Sequence, residues 1–211
     1  MSIADAERAA LIDLLEELGP DAPTLCAGWQ TRDLAAHLIV RERRLDAAPG
    51  VLLKPLAGLT DRAMRQYATM PWPKVVGLLR EGPPRWSPFS IGAVSARVNL
   101  GEFFVHHEDV RRGRSGWQPR EPHAHRDAAL FKLLRTGGRV LYRNSPVGIV
   151  ARRPDGTEHT ARAARPGQRS VVIIGEPGEL VLHAFGRDAV RVEFEGDPAD
   201  VRALAATRRG I

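Results

Sequence analysis

The hydrophobic pattern of this chain changes period once, near Pro146, and that change limits the folds open to it. Before Pro146 the apolar residues recur at helical spacing. Leu11, Leu14, Leu15 and Leu18 fall at i, i+3, i+4 and i+7, and Gly19-Pro20 stops the stretch. A second helix is expected after Thr31, read as its N-cap. Asp33 lies in its first turn, and Leu34, His37, Leu38 and Arg41 form its inward stripe. Residues 60–69, with Met64 and Tyr67, predict a short helix beyond a break at Pro49-Gly50. Pro73 fits the first position of another, which ends at Gly82-Pro83-Pro84. Val94 to Arg112 predicts a strong helix, apolar on more than one side and ended by Gly113. His125 to Leu141 predicts one more, weakened by Gly137-Gly138.

After Pro146, the turns Pro154-Asp155-Gly156 and Glu176-Pro177-Gly178-Glu179 separate short β-rich runs. Val190, Val192 and Phe194 alternate with Arg191, Glu193 and Glu195, the period of a half-buried strand. Asp197-Pro198, an N-cap followed by a proline, opens a last helix through Val201, Leu204 and Ala205. The fold class is therefore α+β, with residues 1–145 a helical bundle and residues 146–211 a small α+β domain.

With 211 residues, 43% hydrophobic and 27% charged, the chain can bury a core and does not have the composition of a disordered protein. No apolar run approaches the ~18–20 residues of a membrane helix. The start, Met1 to Arg8, lacks the features of a secretory signal. A soluble, cytoplasmic protein with no membrane partner is expected. The single cysteine, Cys26, excludes an internal disulfide, a Cys-x-x-Cys redox pair and a multi-cysteine zinc site, so metal chemistry falls to His, Asp and Glu. The net charge is +6, but the part from Val147 onward is nearly neutral. The clusters Arg41-Glu42-Arg43-Arg44 and Arg111-Arg112-Gly113-Arg114 read as solvated helix ends rather than phosphate contacts. Without a zinc finger, an aromatic RNA-binding motif, a phosphate-binding glycine loop or a Gly-x-Ser-x-Gly elbow, no nucleic-acid partner is expected.

Glu102 and His106 stand four apart on the strong helix, so both project from one face in adjacent turns, with Asn99 and Asp109 as neighbours. Such a pair can share a cation or be a solvated surface contact. The apolar surroundings argue that Glu102 does not face water freely, and a buried carboxylate needs a charge or a donor. His37 lies on the inward stripe between Leu34 and Leu38. It reads either as a core histidine bonded to a backbone carbonyl or as a ligand from a facing helix. His107 is turned about 100° from His106, away from Glu102. His123 and His125 read as loop and helix-start residues, His159 and His183 as strand residues, and Cys26 as packing.

Two segments carry a resemblance. They are Thr24-Leu25-Cys26-Ala27-Gly28-Trp29-Gln30-Thr31-Arg32-Asp33-Leu34-Ala35-Ala36-His37-Leu38 and Asn99-Leu100-Gly101-Glu102-Phe103-Phe104-Val105-His106-His107-Glu108-Asp109-Val110. In this order they resemble the mycothiol-dependent maleylpyruvate isomerase family, part of the DinB-like group of metal-binding four-helix bundles. Cys26 and Arg41-Glu42-Arg43-Arg44 look more like an actinobacterial metal-binding subgroup than the characterised isomerases. The resemblance implies a DinB-like four-helix bundle with a smaller C-terminal domain, and makes His37, Glu102 and His106 the metal ligands. Two imidazoles and one carboxylate match zinc, and Fe(II) or Ni(II) can occupy the same set.

The activity so implied is thiol-dependent. The metal would activate a small thiol, mycothiol, towards an electrophilic substrate, as in an isomerase or a thiol transferase. Arg41, one turn beyond His37, is the candidate partner for a substrate carboxylate. The alternative is a non-catalytic metal-binding or ligand-sensing protein of the same fold, and the expected assembly is a monomer or homodimer.

Overall fold

The computed structural model describes residues 2–44, 57–87 and 92–210; the break expected at Pro49-Gly50 lies outside them. The chain divides into two compact units, Met1–Trp117 and Gln118–Ile211. No helix among the described residues is long and apolar enough to cross a membrane.

The first unit contains α1 (Ile3–Leu18), α2 (Thr31–Arg43), α3 (Ala57–Ala68), α4 (Trp72–Glu81) and α5 (Gly92–Arg111). Ser2 and Asp5 cap α1 reciprocally: the Asp5 amide donates to Ser2 Oγ at 3.1 Å and the Ser2 amide to Asp5 Oδ2 at 2.9 Å. Gly19, with φ 74°, ends it in the left-handed region. The N-cap of α2 is Gln30, not Thr31 as expected. The Thr31 hydroxyl is engaged elsewhere, donating to the Gly19 carbonyl at 2.6 Å and accepting from the Ala22 amide at 3.2 Å. It thereby ties the α1–α2 connection to the start of α2.

Four helices share one core. Leu11, Ile12 and Leu15 of α1 meet Leu34, Ala35, Leu38 and Ile39 of α2, Val75, Val76 and Leu79 of α4, and Phe103 and Val110 of α5. Each fully buried leucine in that set contributes about 1.5–3 kcal/mol. On α3, Ala63 joins Val40 of α2 in a smaller cluster. At the far end of α5, a Cβ on Gly113 would stand 2.1 Å from the Pro23 carbonyl oxygen, so only glycine lets these backbones meet. The Leu25 amide donates to the Asp109 carbonyl at 3.0 Å in the same place.

Much of the two arginine clusters is withdrawn from solvent, although Arg114 is exposed. Arg41, Glu42 and Arg112 are buried. Glu42 accepts from Arg8 at 2.8 Å, and Arg8 also reaches the Leu79 carbonyl at 2.7 Å. Arg112 donates to Glu108 at 2.7 Å and lies over the Trp117 ring, 4.3 Å from its centroid. The Arg43 guanidinium bonds Glu81 and the carbonyls of Leu78 and Gly82. Arg8 and Arg43 satisfy carboxylates and helix-end carbonyls brought in from other parts of the unit, which a local reading of charge cannot register, whereas Arg112 pairs with Glu108 one turn back in α5.

The second unit comprises α6 (Ala124–Leu141), β1 (Gly148–Arg152), β2 (Glu158–Arg162), β3 (Ser170–Ile174), α7 (Pro177–Ala184), β4 (Glu193–Glu195) and α8 (Pro198–Ala205). The strand order is β2-β1-β3-β4, with β1 and β3 parallel and both outer pairs antiparallel. Ile149 and Ala151 of β1 and Val171 and Ile173 of β3 are buried, at alternate positions along each strand.

Helix α6 lies before Pro146 in sequence yet packs on α7 and β2, so the compact units divide after Trp117. Pro146 marks a change of secondary structure rather than the edge of a unit. A close approach explains Gly138 of the glycine pair: a Cβ there would come 2.9 Å from that of Ala161 on β2. His159 is in β2 as expected, but His183 is in α7, not in a strand. The Glu176-Pro177 sequence, read as a turn, starts that helix with proline in its first turn. Of the alternating run, only Glu193 to Glu195 forms a strand, and Val190 and Val192 precede it.

Candidate metal centre

His37 projects from the buried face of α2, and Glu102 and His106 from one face of α5. Nε2 of His37 is 2.9 Å from Oε1 of Glu102, and Nε2 of His106 is 3.4 Å from the same oxygen. The three side chains are 8%, 21% and 12% exposed for His37, Glu102 and His106, so the cluster is enclosed but not sealed. Trp29, just before α2, packs against His37 with ring centroids 5.3 Å apart, and His37 meets His106 edge-on at 5.2 Å.

Electrostatics bind the cluster together. Burial would push the Glu102 carboxyl up, but hydrogen bonds from His106 and His37, and their charges, hold it well below the usual carboxylate range. Burial would push His106 down, but Asp109, Cys26 and Glu102 raise it well above the usual imidazole value. The cluster thus keeps its carboxylate ionised and favours positive charge beside it. A proton on His106 meets that demand, and a divalent cation meets it equally.

The donor set fits such a cation. One ligand atom from each of His37, Glu102 and His106 lies within 4.8 Å of the others. Ligands bound tetrahedrally at 2.0–2.2 Å stand about 3.4 Å apart, so only small side-chain shifts separate this arrangement from a coordination shell.

The flanking residues complete the picture. Arg41 donates to Asn99 Oδ1 at 2.9 Å, and its Nε lies 3.7 Å from Oε1 of Glu102. Asp109, named in the sequence only as a neighbour, accepts at Oδ2 from His106 Nδ1 at 2.9 Å and from the Cys26 thiol at 3.2 Å. Cys26 Sγ is also 4.0 Å from His106 Nδ1, a juxtaposition that reading Cys26 as packing missed. The spacing of His106 and Asp109 was a signal for their contact; nothing local pointed to Cys26. His107 faces away and bonds Glu7 of α1 at 3.2 Å. His123 caps α6 by accepting from the Arg126 amide at 3.2 Å, beside His125.

Residues 3–51, which span α1 and α2 with His37 and Arg41, match the family model of the mycothiol maleylpyruvate isomerase N-terminal domain. Among solved structures, the chain is similar to the mycothiol-dependent maleylpyruvate isomerase and to a histidine-to-alanine variant of that enzyme. Each is 15% identical, with a TM-score of 0.61 over 92% of this chain and 90% of the other. At that identity the likeness is one of fold, and it extends through the sheet-containing unit. No curated protein matches the chain.

Proposed function

We propose that the protein is a metal- and mycothiol-dependent enzyme, an isomerase or thiol transferase, whose metal is held by His37, Glu102 and His106. The observation that carries this reading is the convergence of two imidazole nitrogens on one ionised carboxylate oxygen, at 2.9 and 3.4 Å. The N-terminal family match supports mycothiol as the thiol. A divalent ion bound to the three side chains, zinc in the first instance, supplies the Lewis acidity that favours the thiolate of a bound thiol at neutral pH.

The chain's own residues do the rest. His37 and His106 would each give an imidazole nitrogen and Glu102 a carboxylate oxygen, a three-ligand set to which a thiol would add as the fourth ligand of a tetrahedral ion. Trp29 buttresses the His37 ring. Arg41 stands beside Glu102, where its guanidinium can be shared with a carboxylate on the substrate. Mycothiol held beside these residues would supply a thiol nucleophile for reversible addition to an activated C=C bond, as an isomerase requires, or for lasting addition with uptake of one proton, as a thiol transferase requires.

Elemental analysis of the purified protein and of its His37→Ala and Glu102→Ala variants, followed by calorimetric titration with mycothiol, tests the proposal. Metal near one per chain that is lost in both variants, with thiol binding by the native protein alone, supports it. Metal without thiol binding favours a ligand-sensing protein instead. Metal retained in both variants refutes the site.

A further inference from the structure

We infer that Asp109 is a positioning residue for His106, fixing which of the two ring nitrogens faces Glu102 and His37. The inference rests on the reading of His37, Glu102 and His106 as cation ligands. Asp109 follows His106 by one turn of α5 and is completely buried, at 0% exposure. Its Oδ2 lies 2.9 Å from His106 Nδ1. A carboxylate offers only lone pairs, so this contact calls for the proton on Nδ1. In the neutral ring, the form that can bind a cation, the opposite nitrogen, Nε2, then presents its lone pair to the side that holds Glu102 and His37.

Asp109 is itself fixed from two directions. Its carbonyl accepts the Leu25 amide at 3.0 Å, and the bare backbone of Gly113 lets Pro23 close on the end of α5. The segment that carries Cys26 is therefore seated on the helix, and the Cys26 thiol donates to the same carboxylate oxygen that holds the imidazole.

Cys26, His106 and Asp109 also offer ligand atoms within 4.8 Å of one another, on the other side of the ring. The two sets compete, because an imidazole can bind cations through both nitrogens only after both ring protons are lost. The short Nδ1 contact to Asp109 decides between them in favour of Nε2. Asp109 and Cys26 then form a layer behind the ligands, outside the coordination shell.

The test uses the full chain loaded with zinc and labelled with nitrogen-15, together with Co(II) titrations of the native protein, Asp109→Asn and Cys26→Ser followed by absorption. In the native protein, the NMR spectrum is expected to show His106 protonated at Nδ1 and metal-bound at Nε2. Asp109→Asn should still bind one Co(II), with affinity reduced about 10–100-fold. The native protein should show no sulfur-to-cobalt absorption, and Cys26→Ser should leave the cobalt spectrum unchanged. Unprotonated Nδ1, native affinity in Asp109→Asn, or a sulfur-to-cobalt band lost in Cys26→Ser each overturns the inference, the last by placing the cation between Cys26 and Asp109. Such outcomes leave the His37, Glu102 and His106 reading to its own variants, whereas a native protein that takes up no cobalt overturns both. The NMR measurement needs no variant and stands if Asp109→Asn does not fold.

Discussion

Nε2 of His37 and Oε1 of Glu102 meet at 2.9 Å although 65 residues separate them in the chain, and the contact joins α2 to α5 at the point where His106 also converges. A cation bound there would link the two helices and stabilise the folded state over the unfolded one. At a free zinc concentration 100 times the dissociation constant, that linkage amounts to about 2.7 kcal/mol. Saturating zinc should raise the midpoint of urea denaturation of the first unit, and a chelator should reverse the gain. In Glu102→Gln, neither addition should move the midpoint. A zinc-induced gain that survives in this variant would place the cation elsewhere.

Gly113 should not tolerate a side chain. Alanine there puts Cβ against the Pro23 carbonyl, and both atoms belong to packed backbone. Gly113→Ala should destabilise the first unit by about 1–3 kcal/mol or more. It should also loosen the contact between Cys26 and Asp109, read as faster reaction of the Cys26 thiol with a maleimide in the folded protein. Native stability together with native thiol reactivity would contradict the close approach.

Arg8 and Glu42 form a pair at 2.8 Å in which the Glu42 side chain is buried, at 2% exposure, and Arg8 largely so, at 14%. Burial pushes the Glu42 carboxyl up, while Arg8, Arg41 and Arg43 oppose it. Arg8→Ala would leave that carboxylate with weaker compensation and the Leu79 carbonyl with the Gly82 amide, at 3.2 Å, in place of two donors. Breaking a buried pair in this way costs about 3–5 kcal/mol, and the nearby Arg41 and Arg43 argue for the lower end. Chemical denaturation at pH 7 measures the loss, and a change below 0.5 kcal/mol would show the pair to be energetically idle.

Stability of the second unit should fall in acid through His183. Its Nδ1 is 2.8 Å from the Tyr142 hydroxyl in a buried setting, and burial, followed by the Arg209 charge, lowers its pKa from 6.5 to about 3. Between those values the unfolded chain binds the proton and the folded chain does not. The contribution is therefore complete above the unfolded value and declines by about 1.4 kcal/mol per pH unit as pH falls towards the folded one. His183→Gln keeps a hydrogen-bond acceptor for Tyr142 without the titration. Urea denaturation at pH 7.5, 6 and 5 should show the native protein losing stability relative to this variant, and parallel curves would refute the assignment.

Helix α5 shows how much was legible beforehand. Its apolar residues and the spacing of Glu102, His106 and Asp109 lie within one segment, and one turn of helix dictates which side chains share a face. The same holds for α1, whose leucine stripe needed no partner to be recognised. The Arg41-Glu42-Arg43-Arg44 cluster reads locally as a solvated helix end because Glu81 and the Leu78 and Gly82 carbonyls, which reach Arg43 from α4 and its end, lie far from it in sequence. His183 reads as a strand residue because it sits in the β-rich part of the sequence, but the apolar run around it, Leu180-Val181-Leu182, is short enough to fit a buried helix equally well.

Sequence alone determined the helical periodicities and placed Glu102, His106 and Asp109 on one helix face, and the family resemblance named His37, Glu102 and His106 as candidate ligands. Tertiary structure decided that α6 packs with the sheet, that Gly138 must admit Ala161, and that Cys26 shares an Asp109 oxygen with His106. The division has a physical cause. Helix geometry fixes neighbours three or four residues away, whereas contacts across 83 residues, such as that of Cys26 with Asp109, exist only once a packed core has closed the intervening loop.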